Sequence, residues 1–342
     1  MSLTLSLALL GGAVLLALLL HGWWSARNAK PRRATVVDAA PERVEPSLGA
    51  DSVAAPVVET GARRPAPRKA PRLDALIDVI VPITVDAPVS GEQALAHLPP
   101  TRRAGSKPMQ IEGLNTETGD WEPLQLGQHY GEFQAGVQLA NRNGALNEIE
   151  YSEFVQKVQA FAESLGALAD FPDMLEVVAR ARELDNFAGP LDAQLTLLLR
   201  ANSVAWSVGY VQQCAGRQGF VPGALPGRLV LPGAEEGAPP VLVLAFDAQA
   251  ALADDPQAAA LREVSLTLDV PQTPAAAEPF PAWHRAASAL CEEMDATAVD
   301  DQGNAVTLHA YDTIGKELAT LYASLEVRDL AAGTPAAQRL FS

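Results

Sequence analysis

Hydrophobic and polar positions follow three patterns along this chain, and the first is an unbroken apolar run near the N-terminus. The eighteen residues from Leu3 to Leu20 carry no charge, and Trp23 and Trp24 follow closely. A helix of about 20 apolar residues crosses the hydrocarbon core of a membrane, and tryptophan favours the headgroup layer. Arg27 and three further basic residues follow within ten positions of Trp24. Residues 1–26 are therefore predicted to form a transmembrane anchor, with Trp23, Trp24 and Arg27 at the membrane interface.

The distribution of basic residues around the apolar run predicts its orientation. No Lys or Arg precedes Leu3, whereas basic residues follow Trp24 directly. Basic flanks stay in the cytoplasm, so we expect a single-pass protein of the inner membrane, with a periplasmic N-terminus and a cytoplasmic C-terminal part. A cleaved signal peptide is the alternative interpretation. It normally has a basic leading segment and a shorter apolar core, and both are missing here.

The second pattern is the lack of apolar periodicity over residues 27–72. Pro, Ala, Val and Arg dominate this segment, as in the run from Arg64 to Pro71. Such a composition cannot bury a core and is typical of a partly stiffened, disordered tether.

The third pattern is helical and strand-like periodicity in two successive blocks, at residues 73–186 and 187–330. Phe133–Leu139 and Val264–Val270 each alternate apolar with polar or small residues, 131 positions apart, and each is followed by helices with apolar stripes. We expect an α+β fold in which antiparallel sheets carry helices on one face, of the split β-α-β type. The same order of elements in both blocks predicts two tandem copies, followed by a flexible tail at 331–342.

Charge narrows the possible partners of the two blocks. Residues 73–342 hold 36 of the 41 acidic side chains but 15 of the 25 basic ones. A region with this excess of negative charge repels phosphate backbones, so nucleic acid is not expected as a partner. A protein segment with some basic character suits it better.

Candidate chemistry is sparse. Cys214 and Cys291 have no metal-ligand spacing, the five histidines are scattered, and Asp300 and Asp301 precede Gly303 in a pattern typical of a turn stabilised by Asx hydrogen bonds. We therefore expect no catalytic residues, no metal site, no cofactor and no small-molecule substrate.

One strand has apolar residues on both of its faces. In Val241–Phe246 the leucines at 242 and 244 and the phenylalanine at 246 occupy the positions that would be polar on an open sheet face. Leu198, Leu229 and Leu231 are expected to join Leu242, Leu244 and Phe246 there. Either this surface binds an apolar partner, or it packs against the N-terminal copy.

Two regions of the sequence resemble the ZipA family, the inner-membrane anchors of bacterial cell division that hold FtsZ filaments at the septum. The first is His21-Gly22-Trp23-Trp24-Ser25-Ala26-Arg27, after the apolar run. The second is 192–325, where the similarity rests on a few short segments: Gln212-Gln213-Cys214-Ala215, Gly219-Phe220, Val270-Pro271, the helix from Pro281, and Val299-Asp300-Asp301-Gln302.

The resemblance implies a non-enzymatic adaptor. In that family the open sheet face forms an apolar groove for the C-terminal peptide of FtsZ, and Phe246, Ser265 and Thr267 lie where the family has groove residues. Thr267 replaces a large apolar side chain, the tether is shorter than usual, and the family usually has one such domain. The alternative is an envelope-facing, membrane-anchored protein that binds an apolar ligand or peptide, which requires the opposite topology.

Overall fold

The computed structural model describes residues 73–234, 237–253, 255, 259–306 and 308–342. The predicted anchor at 1–26, the predicted tether at 27–72, and the interface residues Trp23, Trp24 and Arg27 lie outside these residues. Within the described part of the chain, none of the helices is long and apolar enough to span a membrane.

The described chain has an α+β fold and divides into two compact units. The first unit contains residues 73–195, 269–279 and 308–342, and the second contains 196–268 and 280–307. Both main sheets pair antiparallel at every register that is described, so the predicted fold class is confirmed at that level. The units do not end at the predicted positions 186 and 330, because the chain passes from the first unit to the second and back twice.

The first unit is built on a six-stranded sheet with the order β2-β3-β5-β1-β8, and β4 pairs with β3. A separate hairpin is formed by β6 and β7. The strands are β1 (Asp78–Ser90), β2 (Arg103–Ala104), β3 (Lys107–Asn115), β4 (Trp121–Pro123), β5 (His129–Gln138), β6 (Ala140–Asn141), β7 (Gly144–Ala145) and β8 (Leu168–Ala169). The helices are α1 (Gly91–Ala96), α2 (Glu148–Leu165), α3 (Met174–Ala188), α7 (Leu308–Glu326) and α8 (Pro335–Leu340).

The core of the first unit lies between one sheet face and the apolar stripes of its helices. Val81 of β1 pairs with Ala135 of β5, and both are fully buried. Phe161 of α2 packs edge-on against Phe133 of β5, with ring centroids 5.7 Å apart. A capping box between Asn147 and Glu150 begins α2, so the predicted helix starts with its backbone donors satisfied.

The predicted flexible tail at 331–342 is wrong. Thr334 caps α8, and Leu340 and Phe341 are each 1% exposed within the core of the first unit. Arg339 also forms a bidentate ion pair with Asp78 at the start of β1, at 2.5 and 2.7 Å. The C-terminal segment is thus a buried part of the first unit.

The second unit has a six-stranded sheet with the order β10-β11-β12-β13-β9-β14. Its elements are β9 (Gln194–Ala201), α4 (Val208–Arg217), β10 (Val221–Pro222), β11 (Arg228–Leu231), β12 (Leu242–Ala245), α5 (Ala248–Ala251), β13 (Glu263–Asp269), α6 (Pro279–Met294) and β14 (Ala296–Val299). Two buried indoles fix the helices and loops: Trp283 of α6 donates to the carbonyl of Leu266, and Trp206 donates to the carbonyl of Met294.

Candidate functional site

The register of three strands sorts the second unit's side chains onto two faces of its sheet. Leu229 pairs with Leu244, and Leu244 pairs with Leu266, so these three form one row. Val230, Val243 and Thr267 form a row on the opposite face. Successive residues of a strand point to opposite faces, so the first row continues into the core and the second faces away from it.

This register corrects part of the predicted groove. Leu242 and Leu244 are fully buried, and Leu229 is 4% exposed. They share the face of Leu266, to whose backbone Trp283 of α6 bonds, so they belong to the core. The prediction that Leu229, Leu242 and Leu244 line an open surface is wrong. Both faces of β12 are apolar, and the accessible face is the one that carries Val243 and Ala245.

The accessible surface, called here the second-unit face, contains other residues of the same strands. Val230 of β11 and both Val243 and Ala245 of β12 are half-buried on it. The alternation of Val264, Leu266 and Leu268 shows the buried face of β13 in the sequence, but only the strand register places Val230, Val243 and Ala245 on the opposite face. The second-unit face is made of Thr196, Leu198, Arg228, Val230, Val243, Ala245, Ser265 and Thr267.

Three predicted residues do lie on the second-unit face. Ser265 pairs with Ala245, and Thr267 pairs with Val243. Leu198 is half-buried on β9, between the outward-facing Thr196 and Arg200. The remaining two predicted residues lie at strand ends: Leu231 closes β11 and Phe246 follows β12, both half-buried.

Hydrogen bonds satisfy the hydroxyl groups of the second-unit face. The Thr196 and Thr267 hydroxyls are 3.0 Å apart and bond to each other, and Ser265 donates to the carbonyl of Ala245. At one end Arg200 donates two hydrogen bonds to the carboxylate of Glu263. The face therefore offers methyl groups at its centre with a charged pair at its end, which suits van der Waals contact with an apolar side chain.

Asp300 and Asp301 lie in a turn, and the predicted Asx hydrogen bonds are confirmed for Asp300. The Asp300 carboxylate accepts hydrogen bonds from the backbone N–H groups of Gln302 and Asn304. The bond from Asn304 is the main reason why the pKa of Asp300 lies below its ordinary value. Asp300 thus stabilises the bend before Gly303.

The buried Lys107 side chain has a structural role. The Lys107 ammonium is fully buried and donates to Asn141 Oδ1 at 2.7 Å and to the carbonyl of Gly144 at 2.5 Å, which fixes the β6–β7 hairpin. Burial lowers the pKa of Lys107. Among the described residues no three His, Cys, Asp or Glu side chains are grouped so as to hold a metal ion.

Cys214 and Cys291 are free thiols. Cys214 is fully buried on α4, and this burial raises the pKa of its thiol to about 11. Burial also raises the pKa of Cys291. A thiol with a raised pKa is a poor nucleophile, because the thiolate is the reactive form.

Comparison with known proteins gives no family assignment. No protein-family model matches the chain, and no curated protein matches it.

Proposed function

We propose that this protein is a membrane-anchored adaptor of the ZipA type, which tethers FtsZ filaments to the inner membrane during cell division. In this proposal residues 1–26 anchor the chain, residues 27–72 give it reach, and the second-unit face binds the C-terminal peptide of FtsZ. Neither a cofactor nor a catalytic residue takes part.

One observation carries the proposal: the antiparallel sheet of the second unit packs on its helices with one face and presents half-buried apolar side chains, ringed by hydroxyl and charged groups, on the other. Val230, Val243, Ala245 and Leu198 give that surface side chains that an apolar anchor residue of a peptide can pack against. An amphipathic peptide commonly binds in this way, with a few apolar residues seated and its polar side in water. The acidic charge of residues 73–342 favours a peptide that also carries basic residues.

The proposal includes a tandem origin for the two units. It rests on the offset of 131 residues between Phe133–Leu139 and Val264–Val270. These segments fall on β5 and β13, and each of these strands neighbours the long first strand of its own sheet, β1 or β9. Each is followed by a long helix, α2 or α6.

Calorimetric titration of the purified full chain with a synthetic FtsZ C-terminal peptide tests the adaptor function. We expect a dissociation constant of about 1 µM, equivalent to about 8 kcal/mol. Val243→Asp places a charge at the centre of the second-unit face and should weaken binding at least about tenfold. Leu225→Asp is the matched control, because Leu225 is 59% exposed and lies in the loop between β10 and β11, outside the strands that form the face.

Three outcomes decide between the parts of the proposal. Absence of binding to the folded wild-type chain would overturn the adaptor function. Equal loss in both variants, or in neither, would remove the second-unit face as the binding surface. A C-terminal reporter tests the topology: activity in the periplasm would exclude the adaptor and favour an envelope-facing protein that binds an apolar ligand.

A further inference from the structure

The first unit also has a sheet face opposite the face that packs on α2. The segment that leads into β1 packs on this opposite face. This first-unit face consists of alternate residues of β1, β3 and β5: Asp78, Ile80, Pro82, Thr84, Gln110, Glu112, Leu114, Glu132, Gln134, Gly136 and Gln138. Leu73, the first described residue of the chain, packs over its centre. A β-carbon added to Gly136 would come within 2.2 Å of Leu73 Cδ2. Gly136 is therefore the seat of the Leu73 side chain.

A buried carboxylate beside this seat holds the backbone of Leu73. Glu112 is 2% exposed on this face, whose far end, at Asp78 and Gln138, bonds to Arg339 of α8. Its carboxylate accepts one hydrogen bond from Gln134 Nε2, at 2.9 Å, and one from the N–H of Leu73, at 3.3 Å. A buried carboxylate is costly unless donors satisfy it, so the incoming backbone is part of what stabilises Glu112 there.

A tight turn fixes the direction from which Leu73 reaches the face. The N–H of Asp74 donates to the Asp78 carboxylate at 2.8 Å, and the Asp74 carboxylate accepts from the N–H of Leu76 at 2.9 Å. The N–H groups of Ile77 and Asp78 both donate to the carbonyl of Asp74. These bonds reverse the chain between Leu73 and the start of β1, so that Leu73 lies over the sheet that β1 enters.

We propose that the first-unit face is a peptide-docking surface whose occupant is the chain's own entry segment, residues 73–76, bound in cis. The recognised chemistry is a leucine side chain seated on Gly136 together with a backbone N–H donated to Glu112. Glu112 and Glu132 lie on the face, so a docking peptide with basic residues before its leucine has a complementary charge. While Leu73 is seated, it blocks the face. Once Leu73 leaves, a leucine and its backbone N–H from another peptide can bind in the same place.

A complementation experiment tests this proposal with the full chain. Leu73→Ala empties the seat, and a fluorescent peptide with the sequence of residues 66–76 serves as the probe. Fluorescence anisotropy should show the probe binding the Leu73→Ala protein at least about tenfold more tightly than the wild type. The same peptide with alanine in place of Leu73 should bind neither protein. Gly136→Val added to Leu73→Ala fills the seat and should abolish binding of the probe.

Each result bears directly on the inference. Equal binding of the probe to the wild type and to Leu73→Ala, or no binding to a Leu73→Ala protein with an unchanged circular dichroism spectrum, would overturn it. Binding that survives Gly136→Val would place the peptide elsewhere and overturn it as well. The FtsZ peptide titration stays independent, because Leu73→Ala leaves the second-unit face unaltered.

Discussion

Removal of the Arg339 side chain is expected to be among the most destabilising single changes in the first unit. The Asp78 side chain is fully buried and that of Arg339 is 14% exposed, and two hydrogen bonds join them. Arg339→Ala leaves the carboxylate buried with one remaining donor among the described residues, the N–H of Asp74. Breaking a buried pair by removing one partner typically costs about 3–5 kcal/mol, and the surviving donor places the expected loss near the lower end, at about 3 kcal/mol.

Two further variants separate this burial effect from a general loss of charge. Arg328→Ala breaks an exposed pair with Glu183 in the same unit, at 3.3 Å and with side chains 46% and 71% exposed. Exposed pairs contribute about 1 kcal/mol or less, so this control should change stability little. The double variant Asp78→Asn with Arg339→Met removes both charges and should recover most of the loss, because no uncompensated charge stays buried.

Urea unfolding of the full chain, followed by circular dichroism, measures these free energies. Limited proteolysis provides a local readout, since release of α8 exposes Leu340 and Phe341. A loss below about 1 kcal/mol for Arg339→Ala, or a double variant no more stable than the single one, would refute the reasoning from burial.

Three other side chains give sharp expectations. The Tyr322 hydroxyl is buried without a hydrogen-bond partner among the described residues, so Tyr322→Phe should stabilise the chain by about 1 kcal/mol in urea unfolding; destabilisation would show a hidden partner. Asn147→Ala removes the cap of α2 and should cost about 1 kcal/mol, with faster hydrogen exchange confined to its first turn; unchanged exchange would contradict this. The Cys214 thiol has a raised pKa of about 11, so it favours folding below pH 9 and loses this contribution as the pH rises to 11. Cys214→Ala should therefore flatten the decline in unfolding free energy between pH 8.5 and 10.5, and equal slopes would refute it.

Local periodicity was sufficient to predict several elements. The stripe of Tyr151, Phe154, Val158 and Phe161 is buried on α2 as expected, since a helix repeat depends only on neighbours along the chain. The alternation of β13 likewise identifies its buried side. These patterns predict the fold class, because each helix or strand has one apolar face that must pack against another element.

The sequence predictions were wrong where the burial of a residue depends on contacts with residues far away in the sequence. Both faces of β12 are apolar, so only its pairing with Leu266 and Thr267 shows which side is accessible. The segment at 331–342 is short and has no sheet-like pattern, yet Arg339 meets Asp78 across 261 residues of sequence. The seat of Leu73 is similarly invisible in the sequence, because a single glycine in a strand has several possible causes.

The position of β1 has a mechanical consequence under the proposal that residues 1–26 anchor the chain in the membrane. A pull applied at Leu73 first opens the turn at Asp74 and then acts along the axis of β1, which lies inside the sheet between β5 and β8. Ladder hydrogen bonds run perpendicular to their strands, so the bonds along the uninterrupted Asp78–Thr84 pairing with β5 are loaded together, in shear, and do not open one after another. The Asp78–Arg339 ion pair also holds the start of β1, where the force is applied, to α8. The first unit is therefore suited to bear tension from the N-terminal side before its core is disturbed.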